Sequence, residues 1–228
     1  NILKEFLINI QENIEIINAL AIKLSNLNEN DDLEIHINKY IDKYESHILY
    51  YLKGYILSKS DKISESEVFF KKSINLNVNF WNAYQLLLKQ YEKQSRLKDF
   101  KTIITSAKKI FKNNIILIYY EALYFFRVKD YNQSLNILTK KEVEKKFLTQ
   151  KNDVVLADYF HLLSRNNEKL GFYNESYNFA LKRNEVTINF KENKIFKKEL
   201  ILDTITIYKN FFDKTNKHNV INLSKGIN

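Results

Sequence analysis

The sequence predicts an all-α fold, an α-solenoid of antiparallel helix pairs wound as a right-handed superhelix, and three observations carry that expectation. Zero Pro and only three Gly among 228 residues remove the types that most often punctuate strands and β-turns. Apolar residues recur at helical spacing along most of the chain. Three segments align without gaps from His47, Trp81 and Ile115, and their starts are separated by the same 34 residues.

Taken in order, Leu3, Phe6, Leu7 and Ile10 have helical spacing and read as a helix preceding the regular array. Residues 13–46 read as a degenerate repeat of two helices, with Ile14, Ile17, Leu20, Ala21 and Leu24 on one face and Leu33, Ile37, Tyr40 and Ile41 on another. Repeats follow at 47–80, 81–114 and 115–141. Equivalent positions carry equivalent chemistry. Tyr50, Tyr84 and Ile118 fall early in the first helix, Gly54, Leu88 and Ala122 at its crossing point, and Leu57, Tyr91 and Phe125 three residues later. Ile63, Leu97 and Tyr131 open the second helix, Ser66, Phe100 and Ser134 take its close-contact position, and Phe70, Ile104 and Leu138 face the core. Leu88 and Phe100 replace small residues, which suggests looser or altered packing in the middle repeat.

This order of aromatic, small, aromatic and then a second apolar helix, at a period of 34, resembles the tetratricopeptide repeat, although Val78 and Lys112 stand where that family usually has proline. A polar spacer, Glu142 to Asp153, reads as a loop or short extra helix and leads to a fourth unit at 154–187. There Gly171 suits a left-handed turn, and Tyr173 and Ser176 repeat the positions of Tyr131 and Ser134. A terminal helix is expected over 193–212, with Ile195, Phe196, Leu200, Ile201, Ile205, Tyr208, Phe211 and Phe212 on its apolar side, followed by a polar tail or linker at 213–228.

The run LLSRNNEKLGFYNESYNFALKRNEV and the helix after it also resemble the last repeat of tetratricopeptide-containing sulfotransferases, over about residues 154–212. That resemblance implies a sulfuryl transferase domain beyond residue 228, to which this array would present acceptor proteins. With no Met even at position 1, the sequence reads as a piece of a longer protein.

Composition bounds the function classes. With 45% hydrophobic and 14% aromatic residues the chain can bury a core, so disorder is not expected. A formal charge of +9 would suit nucleic acid or an acidic protein, but the lysines alternate with Glu and Asp as on solvated helix faces, which disfavours nucleic acid as partner. An RNA-binding helical repeat of the pentatricopeptide kind has a period of 35 and fits less well. The absence of Cys excludes disulfides and thiolate metal sites and suits the cytoplasm. The longest apolar stretch, Ile115 to Phe126, holds Glu121 and is shorter than the roughly 20 residues of a membrane helix, so no membrane role is expected.

Catalytic chemistry has no candidate. Gly54, Gly171 and Gly226 are too far apart to cradle a phosphate, so neither cofactor nor catalytic residue is expected in this chain. His36, His47, His161 and His218 lack ligand spacing and read as surface or groove residues. Glu65 and Glu67 are two apart and point to different faces. The expected function is a protein–protein interaction scaffold. First helices line the concave face of such arrays, so the groove candidates are Tyr51, Tyr55 and Lys59, then Asn82, Gln85 and Lys89, then Tyr119, Leu123 and Arg127, then His161 and Arg165. Donors, aromatics and positive charge together suit a protein or extended peptide partner of acidic character.

Overall fold

The computed structural model describes residues 13–27, 30–149 and 151–188, and among these every regular element is an α-helix. They form two compact units that divide between Lys146 and Phe147. The expected N-terminal helix around Leu3 to Ile10, the terminal helix at 193–212 and the tail at 213–228 lie outside the described residues. No helix among the described residues is long and apolar enough to cross a membrane.

The first unit opens with the degenerate pair, α1 (Ile14–Asn26) and α2 (Asn30–Tyr40). Asn13 starts α1 by accepting the Glu15 N–H at 2.8 Å, which satisfies one of the donors that a helix start leaves open. Ile17, Leu20, Ala21 and Leu24 of α1 and Leu33, Ile37 and Tyr40 of α2 are buried, and they share one core with Leu49, Leu52 and Ile56 of α3 (His47–Lys59). His36 corrects the expectation of a surface histidine. It is buried, with Nε2 3.0 Å from the Ile17 carbonyl oxygen and its ring edge-on to Tyr40 at 5.0 Å. Its aromatic ring fills the space between α1 and α2, and burial holds its pKa below the ordinary value, so it folds as a neutral side chain.

Three regular pairs follow: α3 with α4 (Ile63–Leu76), α5 (Trp81–Lys93) with α6 (Leu97–Ile110), and α7 (Ile115–Arg127) with α8 (Tyr131–Leu138). Ser46 and Asn114 start α3 and α7, each accepting two backbone N–H groups. At the crossing point of α3 and α4, a Cβ added to Gly54 would lie 2.7 Å from two ring carbons of Phe70 and 3.1 Å from the Ser66 carbonyl oxygen. Glycine there is set by the approach of the paired helix. The middle repeat is not looser. Leu88 and Phe100 are both 0% exposed and belong to one cluster, and the Phe100 ring packs edge-on to Tyr120 and Tyr124 of α7 at 5.9 and 6.2 Å. A larger residue at the crossing point is absorbed by repacking toward the next repeat.

The turn within each pair recurs in backbone as well as position. Asp61, Ser95 and Lys129 all have positive φ, at 56°, 56° and 65°, and they stand one 34-residue period apart. The following N–H closes each turn on a carbonyl five residues back, from Lys62 to Leu57, Arg96 to Tyr91 and Asp130 to Phe125, each at 2.9 Å. This is the Schellman closure, here built on residues other than glycine.

Between the first two repeats an ionic cluster gathers on the buried carboxylate of Glu67, with its cationic partners reaching solvent. Glu67 of α4 accepts hydrogen bonds from Arg96 at 2.5 Å, Lys71 at 2.6 Å and the Tyr91 hydroxyl at 2.9 Å. Burial by itself works to raise the Glu67 carboxyl, and the bonds from Arg96, Lys71 and Tyr91 outweigh it and hold the pKa at about 2. Burial and the bond to Glu67 push the Tyr91 phenol up to about 12. Beside it, Gln90 of α5 donates to the Ile63 carbonyl at 2.8 Å and accepts from Ser66 at 3.2 Å, so α4 and α5 are joined by a fully engaged polar seam. Glu65 is exposed, as expected from its different face.

The spacer contains a short helix, α9 (Lys141–Leu148). In the second unit Asn152 caps α10 (Asp153–Leu170), which pairs with α11 (Tyr173–Ile188). The Phe147 and Tyr159 rings stack at 4.2 Å, and the Ser164 hydroxyl donates to the Ser176 carbonyl at 2.9 Å, so Ser176 takes the close-contact position. Gly171 ends α10 with φ 82°, the fourth occurrence of the left-handed turn. Tyr173 departs from the expectation. It is 71% exposed, whereas Tyr131 packs on Phe126 at 5.5 Å, because no described residue covers that side of α11.

Candidate partner-binding surface

The candidate residues of the first unit lie on the first helix of each pair, but the structure gives them different duties. Tyr51 is half-buried, its ring 5.1 Å edge-on from Phe80 and 6.2 Å from Phe70, and burial together with Tyr55 raises its pKa. It is part of the wall. Tyr119 is half-buried against Tyr120, with ring centroids 5.7 Å apart. Asn82 is exposed, and Gln85 and Leu123 are half-exposed. Arg127 is already engaged, because its Nε donates to Glu92 at 2.9 Å and its Nη2 forms an ion pair with the same carboxylate. That pair ties α7 to α5.

Tyr55, Lys59 and Lys89 are brought together. They line a cleft of about 440 Å³ with Ser58, Asp61, Ile63, Leu86, Gln90, Lys93 and Gln94, where the C-terminal ends of α3 and α5 meet the turn after α3. The Lys59 ammonium sits 5.4 Å above the Tyr55 ring, a cation–π contact that keeps it over the cleft. Lys89 and Lys93 are one turn apart on α5, so they share a face. Lys53, Lys71, Lys108 and Arg96 each hold a carboxylate in an ion pair, whereas none of Lys59, Lys89 and Lys93 does so among the described residues. Lys93 was missing from the sequence-derived candidates. The signal for it was available, since Lys59, Lys93 and Arg127 stand at the same position of successive repeats. A cation at the end of each helix also suits the helix dipole, which accounts for the recurrence without requiring a ligand.

His161 and Arg165 belong to the second unit. His161 is half-buried on α10, and burial, followed by the charges of Arg183 and Arg165, lowers its pKa. Arg165 is exposed and lies 3.4 Å from Glu168. Burial raises the Asp158 carboxyl one turn earlier, and Arg183 partly opposes it. Among the described residues no group of three His, Asp or Glu is arranged to hold a metal. The region resembling sulfotransferases supplies only the helix pair α10 and α11 here, since residues 189–212 are outside the description.

No family model matches the sequence, and no curated protein matches it. Solved structures do match the fold. MamA of AMB-1 superposes with a TM-score of 0.59 at 9% identity, covering 75% of this chain and 97% of that one. BtubC (BKLC) from P. vanneervenii gives 0.59 at 9% identity, with 76% and 79% covered. A tetratricopeptide repeat protein from Parabacteroides merdae ATCC 43184 gives 0.53 at 16% identity, with 84% and 75% covered. At these identities the likeness establishes a tetratricopeptide-like helical-repeat fold.

Proposed function

We propose that this chain is a protein-interaction scaffold that holds an extended acidic peptide across the first helices of its repeats. The observation that carries this reading is the cleft at Tyr55, Lys59, Lys89 and Lys93, where cations free of ion pairs stand beside an aromatic and aliphatic floor. Of the cations on the first helices of these repeats, Lys53 is paired with Glu34 and Arg127 with Glu92, whereas Lys59, Lys89 and Lys93 converge on one cleft without an ion pair among the described residues. A charge-assisted hydrogen bond from lysine to carboxylate, combined with packing on Tyr55 and Leu86, supplies both affinity and position. The supporting array is rigid at this point, because Gln90 and Glu67 lock α4 to α5 directly behind the cleft.

A library of acidic peptides with varied flanks, screened by fluorescence anisotropy, tests the reading. Binding should weaken about tenfold in the Lys59→Glu, Lys89→Glu double variant, with an unchanged melting curve because both residues are exposed. Equal binding by wild type and variant would remove the cleft from the function.

A further inference from the structure

We infer that the cleft between α3 and α5 takes a phosphorylated side chain of the bound peptide, a phosphomonoester dianion in preference to a single carboxylate. This rests on the scaffold reading above and deepens it. The lining holds three ammonium groups, Lys59, Lys89 and Lys93, against one carboxylate, Asp61, an excess of two positive charges. A phosphomonoester carries about −1.5 to −2 at pH 7 and matches that excess, whereas one Asp or Glu compensates half of it.

Shape agrees with charge. The volume of about 440 Å³ far exceeds a carboxylate, and the cations come from two elements, Lys59 from the end of α3 and Lys89 and Lys93 from α5. A tetrahedral group with three terminal oxygens can accept from both sides at once, which a planar carboxylate does less well. Tyr55, Ile63 and Leu86 offer an apolar floor for the carbon part of the phosphorylated residue. Gln90 contributes a fixed wall, its amide already spent on Ile63 and Ser66, and leaves Ser58 and Gln94 as neutral polar groups at the rim.

The charge is also local. One repeat further on, the equivalent cation Arg127 is neutralised by Glu92, so the first-helix surface does not continue as the unbroken basic track that a nucleic-acid backbone would follow. A peptide with one strongly charged residue fits a surface of this kind.

The test uses the whole chain and four matched peptide libraries with degenerate acidic flanks, whose central residue is phosphoserine, phosphotyrosine, Glu or Ser. Phosphoserine or phosphotyrosine should bind about tenfold more tightly than Glu, and Lys89→Met with Lys93→Met should abolish that gain while leaving the melting curve in place. Whichever phosphorylated residue binds best identifies the one used. If the Glu library binds as well as both phosphorylated libraries, and remains sensitive to the lysine variants, the phosphoryl preference is wrong and the acidic-peptide scaffold stands. If no library binds, both readings fall together. Tighter binding of a single-stranded RNA homopolymer than of any peptide would overturn the assignment to a peptide.

Discussion

Replacing Lys129 by Gly should stabilise the protein, although it removes a side chain from an exposed turn. Lys129 has φ 65°, a left-handed conformation that costs an ordinary residue about 1–2 kcal/mol. Glycine removes that cost but brings about 0.5–1 kcal/mol of extra chain entropy in the unfolded state, which leaves a net gain of about 0.5–1 kcal/mol. For a chain of this size the midpoint should rise by about 1–4 °C, read by far-UV circular dichroism and by urea unfolding. Ser95 shares the geometry and should respond similarly, while Asp61 should gain less because a short polar side chain tolerates this region better. Gly171 supplies the opposite experiment. A Cβ there would meet nothing within 4 Å, so any loss in Gly171→Ala is purely conformational, expected at about 1 kcal/mol. A lower midpoint for Lys129→Gly, or no cost for Gly171→Ala, would refute the attribution to backbone strain.

Three further outcomes follow from the packing and the buried charges. Gly54→Ala should lower stability by about 1–3 kcal/mol in urea unfolding despite better helix propensity, since its methyl would press on the buried Phe70 ring and the Ser66 carbonyl. Glu67 has its folded pKa depressed from 4.5 to about 2, so its contribution is complete above about pH 4.5 and is lost as pH falls toward 2. With screening at the half-exposed Arg96 and Lys71, that contribution is about 2 kcal/mol, and Glu67→Gln should be weaker than wild type at pH 7 but match it near pH 2. His36 also has a depressed pKa, so its stabilisation is present above about pH 6.5 and fades as pH falls, and the difference between wild type and His36→Gln in chemical unfolding should shrink from about pH 7 to pH 5.

The repeat was legible because its spacing and its packing report the same thing. Gly54, Ser66, Ala122 and Ser134 are small where helices approach, and all are buried. At Leu88 and Phe100 the sequence shows large residues where the neighbouring repeats have small ones, but not that the added bulk packs toward the next repeat, where the Phe100 ring meets Tyr120 and Tyr124. The left-handed turns at Asp61, Ser95 and Lys129 were hidden by the absence of glycine, whereas Gly171 announced the same geometry. His36 looked polar in the sequence, yet one backbone carbonyl and an aromatic neighbour were enough to bury it. The surface was less legible than the fold. Arg127 and Lys89 look alike as letters, and only the Glu92 contact separates a structural cation from an available one.

The ionic cluster at Glu67 has a consequence for how such an array can change its length. Thirty-four residues further on, the position of Glu67 is held by Lys101, that of Tyr91 by Phe125 and that of Arg96 by Asp130, so the charges are transposed from one junction to the next. Excision of residues 81–114 keeps the period and joins the first repeat to the third. Glu67 would then confront Asp130 in place of Arg96 and a phenyl ring in place of the Tyr91 hydroxyl, a buried carboxylate beside another with two of its donors gone. Equal spacing would invite recombination between repeats, and polarity at the seams penalises it. The order of the repeats is thus written in their junctions as well as in their sequence.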